Sequence, residues 1–353
     1  MKIIDEILDR YVIEKNFRLE DFYKREEVLM FDIETTGLSK NNSFIYLIGL
    51  NYYKDGDYHI TLLFNDDGIS ESEILYYFMD FIKNYKILMH FNGDGFDIPF
   101  VSGRIDELNR RNGEAIVNNF HLVKSVDLLK QVRPFKKALG LPNIKQKTVE
   151  KYLGINRIDM YDGGQMIAVY MNYLSMRRYA ENGYEENGLH ERVDGLKQLF
   201  IQHNRDDMEG MYHLTSIFAI KALSEGCHEA LSYSIEGNEE LKLKIDATLS
   251  SSLPVKIESE YEGIRLTAEG DKASLEIPIL IDTLRFYFTD SRSGYAEESG
   301  FFVRKPKDCE LAAYRAKPRD RALYMRLDDS ILGSETAKAA YYKSVIYHML
   351  RWK

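Results

Sequence analysis

The feature that most constrains this chain is a pair of acidic residues set into an apolar run. Val28-Leu29-Met30-Phe31 has the continuous hydrophobic character of a central strand, and Asp32, Ile33 and Glu34 follow at once. Alternate residues of a strand share a face, so Asp32 and Glu34 point the same way, roughly 7 Å apart. Like charges that close, at the end of a buried strand, are strongly unfavourable unless a basic side chain or a metal neutralises them. Hard oxygen donors of this kind suit Mg²⁺ or Mn²⁺.

Two further segments add chemistry. Asn92-Gly93-Asp94-Gly95-Phe96-Asp97 follows the apolar run Ile87 to Phe91 and precedes Pro99, which suits the first turn of a helix. Asp97 therefore stands at a strand-to-helix junction, where α/β sites commonly occur. Taken alone, the segment would be a capped turn, since Asn, Asp and Gly are what turns use. Farther on, Leu196 to Asp207 is helical in pattern and carries His203 and Asp207 at i and i+4, hence on one face.

These three segments resemble the motifs of the DEDD 3′-5′ exonucleases of the ribonuclease H-like superfamily. Asp32-Ile33-Glu34-Thr35-Thr36-Gly37-Leu38 matches the family's first motif, D-x-E-T-T-G-L, at every position. Asn92 to Phe100 fits N-x-x-x-F-D-x-P-[YF], the second motif of the branch found in family B DNA polymerases, which makes Asp97 rather than Asp94 the second-motif carboxylate. The third motif is Y-x-x-x-D in one subgroup and H-x-x-x-x-D in the other. His203-Asn204-Arg205-Asp206-Asp207 has the spacing of the first and the base of the second, so Asp207 keeps the ligand position. The general base stays open between His203 and a side chain from the polar loop at 183–195. Lys147 to Ile155 is also similar to the YprB-like bacterial proteins, predicted exonucleases of the same superfamily. The resemblance covers roughly residues 28 to 225.

The resemblance implies an α/β fold with a ribonuclease H-like mixed five-stranded sheet flanked by helices. It also implies metal-dependent hydrolysis of phosphodiester bonds at the 3′ ends of single-stranded DNA or RNA, releasing nucleoside 5′-monophosphates. Carried over residue by residue, the ligand set is Asp32, Glu34, Asp97 and Asp207 around two divalent cations, Mg²⁺ or Mn²⁺. Asp32 would bridge both ions, Glu34 and Asp207 would hold the one that activates water, and Asp97 would support the second. A two-metal site lowers the pKa of water and clamps attacking and leaving oxygens. His203 would orient or deprotonate that water, a task suited to an imidazole with the ordinary value near ~6.5. Thr35, Thr36, Gly37, Leu38, Asn92 and Phe96 adjoin the ligands and are candidates for the terminal nucleotides, with Leu38 and Phe96 stacking on bases. A non-catalytic nucleic-acid-binding or scaffold protein on the same fold is the alternative. A free-standing polymerase is not expected, because the residues beyond the third motif are too few to house one; a proofreading module that serves a separate partner enzyme stays open.

Net charge bears on the partner. The total is −9, awkward for a protein that must contact phosphates. Between 121 and 157, however, nine basic residues stand against two acidic ones, and Lys136, Lys137, Lys145 and Lys147 are the candidate phosphate contacts in that stripe. A second basic segment runs from 304 to 326. Two widely spaced cysteines, Cys227 and Cys309, argue against a zinc site or a disulfide scaffold and for a reducing compartment, with cytoplasm the default. No long uninterrupted apolar run predicts a signal peptide or a membrane span.

Three regions are expected. Residues 1–27 read as a helical packing arm, 28–226 as the exonuclease domain, and 241–353 as a small β-rich domain of unassigned role ending in a helix from Ser334 to Arg351. Within the middle region, Asp55-Gly56 predicts a hairpin between Phe44–Tyr53 and Tyr58–Phe64. Ser70-Glu71-Ser72-Glu73 predicts a capping box, and 120–129 a fifth strand. Asp127, at the end of that strand, is read as structural with a lesser chance of approaching the metals. A single long helix is expected over about 196–224.

Overall fold

The structure, a computed structural model, describes residues 1–8, 19–155, 157, 161, 163–183, 188–287, 294–307, 309, 313–317, 321–328 and 331–351. The chain divides into two compact units, Met1–Gln131 with Ile144–Ser216, and Val132–Asn143 with Ile217–Lys353.

The first unit is built on a sheet of β1 (Lys2–Ile7), β2 (Val28–Thr35), β3 (Ile45–Lys54), β4 (Asp57–Phe64), β5 (Ile87–His90) and β6 (Lys124–Asp127), in the order β1-β4-β3-β2-β5-β6. Strands β2, β3 and β4 form an antiparallel meander, whereas β5 and β6 run parallel to β2. The expected hairpin turns at Asp55 (φ +54°) and Gly56 (φ +100°), both left-handed as a tight primed turn requires. The mixed ribonuclease H-like sheet is thus present with one strand more than expected.

The extra strand corrects the expectation of an N-terminal helix. Lys2–Ile7 pairs antiparallel with β4 along its whole length, from Lys2↔Phe64 to Ile7↔His59. Its isoleucines are β-branched, and the backbone groups of the β4 edge need partners. The remainder of the expected arm falls partly on 9–18, outside the described residues.

Helices cover both faces of the sheet, which explains the unbroken apolar run of β2. On one side, α1 (Glu71–Phe81) and α2 (Asp97–Asn112) bury Ile74, Leu75, Phe78, Val101 and Ile105 with Leu29, Phe31 and Ile33. Ser70 does not form the expected capping box; its hydroxyl donates to Asp67 Oδ2 at 2.6 Å. After α3 (Leu128–Val132) and α4 (Gln146–Tyr152) come α5 (Gly163–Glu181) and α6 (Leu189–Leu214). Tyr46 stacks on Tyr170 at 4.2 Å and Phe64 meets Phe200 at 4.9 Å, joining the other face to α5 and α6.

Helix α6 differs from expectation at both ends. It begins at Leu189, inside the expected loop, because buried Leu189 anchors it and packing overrides the low propensity of Gly195. Residues 184–187 of that loop lie outside the described residues. It ends at Leu214, where the Thr215 hydroxyl donates to the Tyr212 carbonyl at 2.6 Å.

The second unit starts at Ile217, upstream of the expected boundary, and includes Val132–Asn143. Helix α7 (Ile217–Ser224) is buried on almost every side and belongs with the C-terminal helix α8 (Glu335–Arg351). Strands β7 (Ala230–Glu236), β8 (Lys242–Thr248), β9 (Ile257–Tyr261), β10 (Ile264–Glu269), β11 (Lys272–Tyr287), β12 (Tyr295–Arg304), β13 (Tyr314–Arg315) and β14 (Tyr324–Arg326) make one antiparallel sheet. The first half of β11 pairs with β8 and β10, the second with β12 and β13. No helix among the described residues is long and apolar enough to cross a membrane.

Candidate metal centre

Three elements of the first unit bring the five residues of the motifs together. Strand β2 supplies Asp32 and Glu34 on the face toward α6, α6 supplies His203 and Asp207 one turn apart, and the start of α2 supplies Asp97. Glu34 Oε1 and Asp207 Oδ2 each lie 3.5 Å from His203 Nε2, and donor atoms of the three residues fall within 4.8 Å of one another. Asp97 is the first residue of α2, where a carboxylate suits the helix dipole, and its Oδ1 accepts the Ile33 N–H at 3.2 Å. That bond ties the second motif to the first, between the two β2 carboxylates.

Close approach of α6 to the sheet depends on a glycine. Gly49 stands opposite Asp32 across the β2–β3 pair, and a Cβ there would come within 2.7 Å of Met208 Cγ and overlap Asn204. With that space open, Asn204 Nδ2 donates to Asp32 Oδ2 at 3.0 Å.

The electrostatics are those of a site short of positive charge. Burial raises Asp32 well above the ordinary carboxylate range, and Asp97, Asp207 and Glu34 raise it further, with Arg157 opposing. Burial also pushes Asp97 up to about 7, while the backbone N–H groups of Ile33 and Asp97 itself pull it down and Asp127 adds to the rise. Tyr46 donates to Glu34 Oε2 at 3.3 Å, and burial together with that carboxylate holds its hydroxyl well above the usual tyrosine value. The guanidinium of Arg157 pairs with Asp207 and Glu150 and opposes the rise at Asp32. Oxygen-rich donors with excess negative charge fit hard divalent cations, and Asp32, Glu34, Asp97 and Asp207, with the His203 ring beside them, are the residues that would hold them.

A family model described as RNase H superfamily matches residues 29–219, more than half of the chain. The chain belongs to the RNase H superfamily. No curated protein matches it. Among solved structures it is similar to the family B DNA polymerase from the hyperthermophilic archaeon Pyrobaculum calidifontis, at 19% identity and a TM-score of 0.38 over 56% of this chain and 25% of that one. It is also similar to the zinc-bound E. coli ExoI–ssDNA complex, at 17% identity and a TM-score of 0.27 over 44% and 41% of the two chains. An ExoI/SSB-Ct complex is similar at 15% identity and a TM-score of 0.27, over 70% and 56%. The chain spans from a quarter to just over half the length of these structures.

The other sequence candidates of this RNase H superfamily member are distributed as follows. Leu38 is 85% exposed at the tip after β2, and Phe96, half-buried, packs on Phe100 at 5.5 Å. Internal bonds engage both threonine hydroxyls: Thr35 donates to the Gly37 carbonyl at 2.8 Å, and Thr36 accepts the Phe44 N–H at 3.0 Å. Asn92 takes a left-handed φ of +66° and gives its N–H to Asp127 Oδ1 at 2.9 Å. The four lysines are exposed but divided, Lys136 and Lys137 in the second unit, Lys145 and Lys147 in the first. Lys147 Nζ donates to the Tyr161 carbonyl.

His90, Asp94 and Asp127 form a second group with metal-ligand potential, yet their donor atoms are already engaged within this superfamily fold. His90 Nδ1 accepts the Gly93 N–H at 3.0 Å and Nε2 faces Ser125 Oγ at 2.8 Å. Asp94 meets Lys130 and Ser125, each at 2.5 Å, and Asp127 caps the Asn92 and Leu129 N–H groups. This group braces the 91–96 loop that delivers Asp97. Sequence reasoning missed Tyr46, Asn204, Glu150 and the particular role of Arg157; a single sequence carries no periodicity or spacing that marks them.

Proposed function

We propose that this RNase H superfamily protein is a metal-dependent 3′-5′ exonuclease that hydrolyses phosphodiester bonds of DNA or RNA and releases nucleoside 5′-monophosphates. The observation that carries the reading is the convergence of Asp32, Glu34, Asp97 and Asp207, from separate elements, on one site beside a buried histidine. The 3′-5′ direction rests on the motif resemblance. Two bound Mg²⁺ or Mn²⁺ ions would supply Lewis acidity and a water of lowered pKa.

The chain's own residues supply the rest. Asp32 and Glu34 are fixed on a strand covered on both faces, so their geometry costs no reorganisation when substrate binds. Asn204 orients Asp32 and Tyr46 orients Glu34. His203 Nε2 lies 3.5 Å from both Glu34 Oε1 and Asp207 Oδ2 and would accept a proton from water on that side. Exposed Leu38 and half-buried Phe96 offer apolar surface to terminal bases, with Thr35, Thr36, Gly37 and Asn92 shaping the backbone around them. Lys145 and Lys147, and Lys136 and Lys137 on the second unit, are candidates for the phosphate backbone. We assign the nuclease to the first unit, Met1–Gln131 with Ile144–Ser216, in place of the expected 28–226, and leave the β-rich unit without a separate activity.

The test uses 5′-labelled single-stranded DNA and RNA oligonucleotides with Mg²⁺, Mn²⁺ or EDTA. A ladder shortening from the 3′ end, abolished by EDTA, is expected. Mn²⁺ binding by calorimetry with no hydrolysis of either polymer would favour the non-catalytic scaffold instead.

A further inference from the structure

Asp207 is gripped from two sides. Its Oδ2 lies 3.5 Å from His203 Nε2, while its Oδ1 accepts a hydrogen bond from Arg157 Nη1. Arg157 is anchored in turn: Nε and Nη2 donate to the two oxygens of Glu150, the second at 2.6 Å. Glu150 is 1% exposed and the Arg157 side chain 8%. Gln146 Nε2 donates to Glu150 Oε1 and to the Asp207 carbonyl, each at 2.9 Å, so α4 is tied to α6 at the ligand itself. Gly210, less than one turn beyond Asp207, makes the room, since a Cβ there would overlap Glu150 Oε1 and come within 2.8 Å of its Cδ.

Such an arginine has two conceivable roles beside a cation site. It can stand in for the cation and swing away when the cation arrives, or it can stay as a brace. The burial of Glu150 decides between them. Departure of Arg157 would leave a buried carboxylate without its partner, which is far costlier than keeping the pair intact. The planar fork is matched to Glu150 by two bonds, leaving its remaining edge for Asp207 whatever occupies the other side of that carboxylate.

We propose that Arg157, seated on Glu150, is a positioning residue that holds Asp207 with Oδ1 turned away from the metal centre and Oδ2 turned toward Glu34 and His203. An aspartate carboxyl rotates broadly about its last torsion, so the brace keeps a donor oxygen aimed before any ion binds. The inference rests on the reading of Asp207 as a metal ligand.

Mn²⁺ titration calorimetry on the full chain tests it, with wild type, Asp207→Asn, Arg157→Lys and Glu150→Gln compared alongside their thermal unfolding. Arg157→Lys keeps the charge and loses the fork. It is expected to weaken Mn²⁺ binding by about tenfold or more, as loss of a ligand-orienting partner does, and to raise the Mn²⁺ needed for half-maximal hydrolysis in proportion. In Arg157→Ala, millimolar guanidinium should restore part of the affinity where equimolar sodium does not. Affinity within about twofold of wild type in folded Arg157→Lys, or no specific gain from guanidinium, overturns the proposal. Should Glu150→Gln fail to fold, Arg157→Lys still decides. If Asp207→Asn binds Mn²⁺ as wild type does, the ligand assignment fails instead, and the network is structural.

Discussion

Strands β2 and β8 each carry an aspartate among apolar residues, and the two aspartates live under opposite rules. In β8, Leu243, Ile245 and Ala247 face the core while Lys242, Lys244, Asp246 and Thr248 face outward. Asp246 accepts the Ser274 hydroxyl at 2.6 Å and lies 3.7 Å from Lys244, which also meets Glu236 at 3.4 Å. Pairs this exposed contribute about 0–1 kcal/mol, and water would serve nearly as well. In β2 both faces are covered, and half-buried Asp32 has Asp97, Asp207 and Glu34 for neighbours; desolvation together with these carboxylates raises it well above the ordinary carboxylate range. A sheet open on one side tolerates charge anywhere on that side; a sheet covered on both keeps it only where a basic side chain, hydrogen bonds or a cation repay the desolvation.

The largest test of this contrast is a matched pair of substitutions. Asp32→Ala should slow metal-dependent hydrolysis about a thousandfold, corresponding to roughly 4 kcal/mol of transition-state stabilisation, without lowering the stability of the metal-free protein. Asp246→Ala should leave hydrolysis alone and shift stability by about 0.5 kcal/mol or less. Rates from the oligonucleotide assay and urea unfolding curves measure both. Comparable effects from the two variants would erase the distinction.

A smaller effect is expected at His203, whose replacement by alanine should cost roughly a hundredfold in turnover, within the usual range for a positioned acid–base group. His203→Tyr, which restores the residue usual at this motif spacing, should recover part of the rate. Calorimetry sharpens the result: unchanged Mn²⁺ affinity in His203→Ala fits a base or water-orienting group, whereas affinity lost along with rate makes the imidazole a ligand.

The last test concerns pH and the metal-free protein. Asp97 is pushed up to about 7 in the folded state, far above an unfolded aspartate near ~3.9. Between these values the folded chain holds a proton that the unfolded chain has released. Its contribution to stability is therefore present below about pH 4 and declines as pH rises toward 7, at up to about 1.4 kcal/mol per pH unit. Unfolding midpoints measured from pH 4 to 7 in EDTA should fall on this account, and Asp97→Asn should flatten the slope. An EDTA series with no difference between wild type and Asp97→Asn removes Asp97 from the set of strained carboxylates.

How much of this was legible in the sequence follows from which constraints are local. The hairpin announced itself because Asp55 and Gly56 are among the few residues that accept a left-handed backbone. Strand β2 was legible because burial on both faces demands an unbroken apolar run, against which two carboxylates stand out. Strand β1 was not, because Lys2–Ile7 is compatible with a helix, and only the unpaired edge of β4 selects the extended form. The helical start at Leu189 was hidden by Gly188 and Gly195, whose cost is met by packing that no short window of sequence contains. Glu150 and Arg157 were counted only as charges in a stripe; the pairing of Arg157 with both Glu150 and Asp207 exists because the fold brings α4 beside α6. The same stripe failed to show that Lys136 and Lys137 belong to a different unit from Lys145 and Lys147.

The chain enters the second unit twice, and this has a bearing on how it can be cut and how it is made. Residues 132–143 contribute Val132, Phe135, Leu139 and Leu141, all buried, and Arg351 lies over the Phe135 ring at 5.4 Å. A fragment ending at Ser216 would keep the whole first unit yet strand this apolar stretch in solvent, a ready seed for aggregation. During synthesis the same stretch leaves the ribosome long before β7 to β14 or α8 exist. It must wait for more than half of the protein to emerge, so dissecting the two units calls for replacing 132–143 with a short polar bridge, not for a single cut.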